Sequence, residues 1–339
     1  MHVRENAAIS GIITPADIQD ILKKELAAVE TSISENFQSS VAMIPLISEY
    51  LVSGGGKRLR PMLLLASARL CGFTGKENDK DIIHSTIMEY IHAASLLHDD
   101  VVDTADLRRG VSSANAKWGN QYPVLVGDFL FAKTFSLMAK HSPPGVIEIV
   151  SEATRLLAEG QILELVHSAD IEMTEEKYIE LIFSKTGALI TACCQTGGII
   201  GGADEQRLNA LSEYGKNIGI AFQLVDDILD FTSDEKTLGK PAGHDFIEGH
   251  VTLPVIAAFA KGSKQEKKFL MESIKDEALA VKNISQVMEI VKKHDGIEYA
   301  TTMAESYSEK AVASLDVFPA GQFLDALKGL AEYIVTRKT

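Results

Sequence analysis

Apolar positions recur every three or four residues along nearly the whole chain, the spacing of helices with one buried face. Thr14-Pro15-Ala16-Asp17 reads as a helix start, with Thr as N-cap, Pro in the first turn and an acid behind it. Ile18, Ile21, Leu22, Leu26, Val29 and Ile33 follow at helical spacing. A second helix is predicted over 39–52, halted by Gly54-Gly55-Gly56, and a third from Pro61 to Gly72. From Asp79 to Asp103 there is neither Gly nor Pro, and Ile82, Ile83, Ile87, Tyr90, Ile91, Ala94 and Leu97 form a wide apolar face. Further helices are predicted over 122–141, 145–168, 175–200, 204–231, 252–261, 265–276, 283–294 and 297–335, punctuated by Pro143-Pro144 and Gly201-Gly202. No alternating stretch is long enough for a useful strand, and no long linker or fixed-period repeat interrupts the pattern. The expectation is one all-α domain over 1–339. Segment 232–251 differs: it is long, polar and Gly-rich, like loops that cover sites.

Composition narrows the partners. The 339 residues are 46% apolar and 24% charged, an ordinary globular balance. A net charge of −14 lacks the basic footprint of a nucleic-acid binder. A local cluster of cations can still bind small anions. Cys71, Cys193 and Cys194 have neither a disulfide nor a zinc spacing and read as buried thiols in a reducing compartment. Arg4, Glu5, Pro15 and Asp17 break up any signal-peptide core, and no run nears the about 18 apolar residues of a membrane span. The expected setting is the cytoplasm, without stable membrane insertion.

The sharpest chemical feature is Leu96-Leu97-His98-Asp99-Asp100-Val101-Val102-Asp103. On a helix, Asp99 and Asp103 share one face about 5–6 Å apart at Cβ. Like charges so placed repel, and Asp is a poor helix former, so the pattern costs stability unless something binds it. The pattern returns in Phe222-Gln223-Leu224-Val225-Asp226-Asp227-Ile228-Leu229-Asp230, where Asp226 and Asp230 pair. If the two helices face each other, several carboxylates converge and need cations. Hard oxygen donors suit Mg²⁺, which favours a few carboxylates together with substrate phosphates. A phosphorylated substrate follows. The helical spacing and the missing loop glycine exclude an EF-hand.

Cations stand nearby in sequence. Lys57, Arg58 and Arg60 lie between the triple glycine and a helix start, where backbone N–H groups favour anions. The Walker A spacing is absent. Arg108-Arg109-Gly110 follows the first acid motif and could bind phosphate bidentately. Lys185-Thr186 and Gln223 interrupt apolar helices, and Lys240 lies in the long polar segment. Trp118, Tyr122, Phe129, Phe131 and Phe135 read as packing residues and His84 as an ordinary helix residue.

With GGGKRLRP, HAASLLHDDVVDTADLRRG, VGDFLF, KTG, FQLVDDILDF and LGKPAG…DFIEGHVTLP in hand, the chain resembles the trans-type polyprenyl diphosphate synthases, most closely bacterial long-chain, octaprenyl-type members. The likeness runs from about Gly54 to Pro254. It implies an all-α isoprenoid synthase fold around a central cavity, usually a homodimer. It assigns Mg²⁺ to Asp99 and Asp103, and a further Mg²⁺ to Asp226 with Asp230. It assigns isopentenyl diphosphate to Lys57, Arg60, His92 and Arg109, and the allylic diphosphate to Arg108, Lys185, Thr186, Gln223 and Lys240. The small Ala94 and Ser95, just before Asp99, imply an open tunnel and a long product for a quinone side chain. His250 stands where the family commonly carries Lys or another polar residue, and Phe246 where Leu is common. Three other readings remain: a short-chain synthase, against which Ala94 and Ser95 argue; a non-catalytic subunit of a two-component synthase, against which both complete acid motifs argue; and a terpene cyclase, which normally lacks the second motif.

Overall fold

The structure, a computed structural model, describes residues 13–53, 58–75, 79–108, 110–232 and 242–337. Helix α1 (Pro15–Ile21) starts as its sequence requires. The Thr14 hydroxyl accepts from the Asp17 N–H, and the Asp17 carboxylate accepts at 2.8 Å from the Thr14 N–H. Leu22 leaves helical geometry, so the predicted first helix is two, α1 and α2 (Lys23–Asn36). Next come α3 (Met43–Ser53), shorter than the predicted 39–52 at its start, α4 (Leu59–Leu70) and α5 (Lys80–Val102). A small hairpin, β1 (Leu107–Arg108) against β2 (Val111–Ser112), follows α5.

The chain continues through α6 (Ala114–Trp118), α7 (Gln121–His141), α8 (Pro144–Val166) and α9 (Glu175–Ile182). The predicted helix 175–200 is interrupted by a π-helical turn, Phe183–Gly187, before α10 (Ala188–Ile200). Then come α11 (Glu205–Thr232), the short α12 (His244–Ile247) within the polar segment, α13 (Leu253–Lys261), α14 (Lys264–Ser273) and α15 (Glu277–Lys293). Helix α15 begins six residues before the predicted 283 because Asp276 caps it, accepting from the Leu279 N–H at 3.1 Å. The predicted helix 297–335 is α16 (Gly296–Ser314) and α17 (Gln322–Thr336), parted by a 3₁₀ turn at Leu315–Val317 and by Pro319.

Helix α11 packs on α16 and α10, α10 also faces α4 and α8, and α5 lies on α7. One apolar cluster runs from Ile18 to Ile334. Two glycines set the site. A Cβ on Gly160 of α8 would sit 2.6 Å from the Lys185 backbone nitrogen, and one on Gly219 of α11 would sit 2.7 Å from the Gly187 Cα. Both helices therefore press on the π turn.

Several side chains differ from expectation. Tyr122 and Phe135 point outward from α7 and are exposed, while Phe129 and Phe131 are half-buried on the core. His84 is fully buried, with Nδ1 2.5 Å from the Lys80 carbonyl and Nε2 2.9 Å from the Ser142 hydroxyl. Arg58, at a left-handed φ of 49°, is turned to Glu30 (2.5 and 3.0 Å) and Glu89 (2.8 Å). Its charge ties α4 to α2 and α5. Trp118 packs edge-on against Tyr50, with centroids 5.0 Å apart. Cys193 and Cys194 are buried free thiols, and Cys71 is partly buried. Among the described residues no helix is long and apolar enough to cross a membrane.

Candidate active site

The first acid motif ends α5. Asp99 accepts the Asp103 N–H on its backbone carbonyl at 2.8 Å, so Asp103 caps the helix. Burial pushes the Asp99 carboxyl up to about 6; Lys185 and Arg108 pull against this, while Asp103 and Glu164 add to it. Desolvation raises Asp103 too, opposed by Lys185 and His250 and reinforced by Glu164 and Glu248. Asp100 is 2% exposed and accepts from Arg108 Nε at 2.7 Å, with Nη2 at 2.6 Å. Its other oxygen is buried without a hydrogen bond. Arg108, expected on the allylic diphosphate, sits on the hairpin against Asp100 and also acts electrostatically on Asp99, so it stands beside the first acid motif.

The π turn supplies Lys185, whose Nζ donates to Glu164 Oε2. Burial opposes its charge, but Glu164, Asp99 and Asp103 more than offset that and raise its pKa. The next residue begins a relay. The Thr186 hydroxyl donates to Gln223 Oε1 at 3.0 Å, Gln223 Nε2 donates to Asp227 Oδ1 at 2.9 Å, and the Tyr178 hydroxyl donates to Asp227 Oδ2 at 2.5 Å. Burial lifts Asp227 to about 7, with Tyr178 and Gln223 lowering it and Asp226 and Asp230 raising it. Lys185, Glu164, Thr186, Gln223 and Asp227 line one cavity of about 240 Å³.

Asp226 and Asp230 lie one turn apart on α11. Asp226 accepts from Arg337 at 2.5 Å. Asp230 accepts the Asp245 N–H at 3.2 Å, and its carbonyl accepts the Gly243 N–H at 2.9 Å, which fixes the start of α12. Asp245, Glu248 and His250 bring one donor atom each within 4.8 Å of one another. Glu248 and His250 also act electrostatically on Asp103, so this segment bridges toward the first motif.

The structure therefore gathers Asp99, Asp103 and Lys185 on one side, and Thr186, Gln223 and Asp227 on the other. Lys57, Arg109 and Lys240 lie outside the described residues. Arg60 and His92 are half-buried on α4 and α5. Ala94 is fully buried, and the Ser95 hydroxyl donates to the His92 carbonyl at 2.9 Å. Sequence reasoning missed Glu164, Tyr178 and Arg337. Glu164 carries a local signal, a lone acid within Ile162-Leu163-Glu164-Leu165-Val166; Arg337 has none.

Comparison with known proteins places the chain in a family. The family model described as polyprenyl synthetase matches residues 41–291. The chain is 38% identical to the octaprenyl diphosphate synthase of Escherichia coli over 320 residues, 94% of this chain and 98% of that protein. The solved decaprenyl diphosphate synthase of Rhodobacter capsulatus superposes with a TM-score of 0.91 at 38% identity, covering 96% of this chain and 100% of that one. A Caulobacter crescentus polyprenyl synthase, solved with calcium and isoprenyl diphosphate, superposes at 0.89 and 38% identity, covering 97% and 99%. The chain belongs to the polyprenyl synthetase family, the trans-prenyltransferases that extend isoprenoid chains.

Proposed function

We propose that this protein condenses isopentenyl diphosphate head-to-tail onto an allylic diphosphate and releases a medium- or long-chain all-trans polyprenyl diphosphate, octaprenyl in length, for a quinone side chain. The observation that carries the reading is the cavity where Lys185, kept cationic by its acid neighbours, adjoins the Thr186–Gln223–Asp227 relay. Asp99, Asp103, Asp226 and Asp230 would hold Mg²⁺. Their donors are all hard carboxylate oxygens, Asp99 and Asp103 are raised by burial and crowding, and the buried Asp100 oxygen lacks a partner, which together suit a hard divalent cation. Bound there, it would supply positive charge for a departing diphosphate.

The chain's own groups do the rest. Lys185 binds diphosphate oxygens and stabilises the charge that grows as the allylic C–O bond ionises. Thr186 fixes the Gln223 amide, and Gln223 with Tyr178 fixes Asp227. The double bond of isopentenyl diphosphate attacks the allylic carbon, and a proton then passes to the released diphosphate. Buried Ala94 and Leu97 favour a dry wall that keeps water from the cation. The same reading treats residues 1–339 as one helical unit working as a homodimer in the cytoplasm. The continuous apolar cluster and the exposed apolar face of α7 support the first two points.

The test is incubation of the purified chain with farnesyl and isopentenyl diphosphates and Mg²⁺, followed by chromatographic sizing. Octaprenyl-length product is expected, and Ala94→Phe should shorten it. Geranylgeranyl product alone would overturn the length, and no turnover would overturn the elongase reading.

A further inference from the structure

Arg337 is a buried cation on an acid motif from which it is far removed in sequence. It follows α17, and Nη2 donates to Asp226 Oδ1 at 2.5 Å and to the Phe222 carbonyl at 3.1 Å. The guanidinium also lies 4.2 Å from the centroid of the Phe222 ring. Phe222 and Asp226 are one helical turn apart on α11, so the planar fork covers that turn. The Arg337 side chain is 6% exposed, whereas that of Asp226 is 41% exposed.

A cation so far inside is tolerated only when paired. Asp226 provides the pair, and its neighbours Asp227 and Asp230 add negative charge that a guanidinium offsets. A divalent cation approaching Asp226 meets a carboxylate that already accepts from a positive group. Coulomb repulsion over a few ångströms in a half-buried setting is substantial. We infer that Arg337 is the resident counter-cation of Asp226: it stabilises the second acid motif before metal arrives and holds the metal affinity of that motif down. The motif then takes metal most readily in company with a diphosphate, whose charge offsets the guanidinium. This rests on the metal role proposed above for Asp226.

The test titrates Mn²⁺ alone into the full chain stripped of metal, read by calorimetry and by the free-ion resonance signal. Arg337→Met keeps length and loses charge, and should tighten Mn²⁺ binding about tenfold. Arg337→Lys should stay near the parent. In an Asp226→Asn background Arg337→Met should change nothing. The thermal deficit of Arg337→Met in chelator should shrink at saturating Mg²⁺, which a purely structural contact would not do. If Arg337→Met folds poorly, Phe222→Leu removes the stacking face and should shift affinity the same way by a smaller factor. Unchanged or weaker binding in the neutral or unstacked variants, with a loss in Asp226→Asn, overturns the inference alone. An Asp226→Asn chain that binds Mn²⁺ like the parent removes the metal role of the motif and the inference with it.

Discussion

Asp99 is a carboxylate that the fold makes harder to ionise. Its value near 6 lies above the ordinary 3.8, so the metal-free folded chain keeps a proton that the unfolded chain releases. Stability from this group is full below about 3.8 and is lost as pH rises through about 6. Asp227, lifted to about 7, has the same sign. We therefore expect urea melts in chelator to show the parent losing stability relative to Asp99→Asn between pH 4 and pH 7. Equal pH slopes would mean that Asp99 is ordinary. At neutral pH the same substitution should lower turnover at least about 100-fold while the far-ultraviolet spectrum stays unchanged. Such acids were legible because they interrupt apolar helices, and the i, i+4 spacing fixes their shared face. The carboxylate partners of the arginines were not, because Glu30, Glu89 and Asp100 reach Arg58 and Arg108 only through the packing of α2, α5 and the hairpin.

The element that matters most to the site is the π turn at Phe183–Gly187, which presents Lys185 and Thr186 between α9 and α10. It was invisible in the sequence, because one extra residue in a turn barely disturbs the apolar rhythm on either side. The break between α16 and α17 was equally masked, although Pro319 stands within it, since both flanking helices keep their apolar faces. What can be tested is the support of the turn. Gly160→Ala places a methyl 2.6 Å from the Lys185 nitrogen, against backbone that cannot rotate away. The expected cost is about 1–3 kcal/mol in stability, with a raised KM for the allylic diphosphate. Gly145→Ala, whose new methyl would meet the Ile199 side chain at 3.5 Å, serves as the control and should leave both unchanged. A parental KM in Gly160→Ala would show that the turn adapts without moving Lys185.

At the scale of the molecule, the outward side of α7 carries several large apolar side chains into solvent. Leu125 is 63% exposed, Phe135 56% and Tyr122 44%, on the helix whose inner face packs on α5 behind the first acid motif. Full burial of a large apolar side chain contributes about 1.5–3 kcal/mol, so covering several outweighs the ordering cost of association only over a broad contact. The homodimer proposed above would provide such a contact through a second copy of the chain. Each copy also carries a net charge of −14, which opposes close approach at low ionic strength and is screened over about 8 Å at physiological salt. Light scattering should therefore give twice the mass of one chain, with dissociation on dilution easier in low salt than in high. The double variant Leu125→Glu, Phe135→Glu should run as a folded monomer, because both substitutions put charge where desolvation would be required. A parent chain that stays monomeric at high protein and high salt would end the homodimer reading, and would leave α7 as an ordinary exposed face.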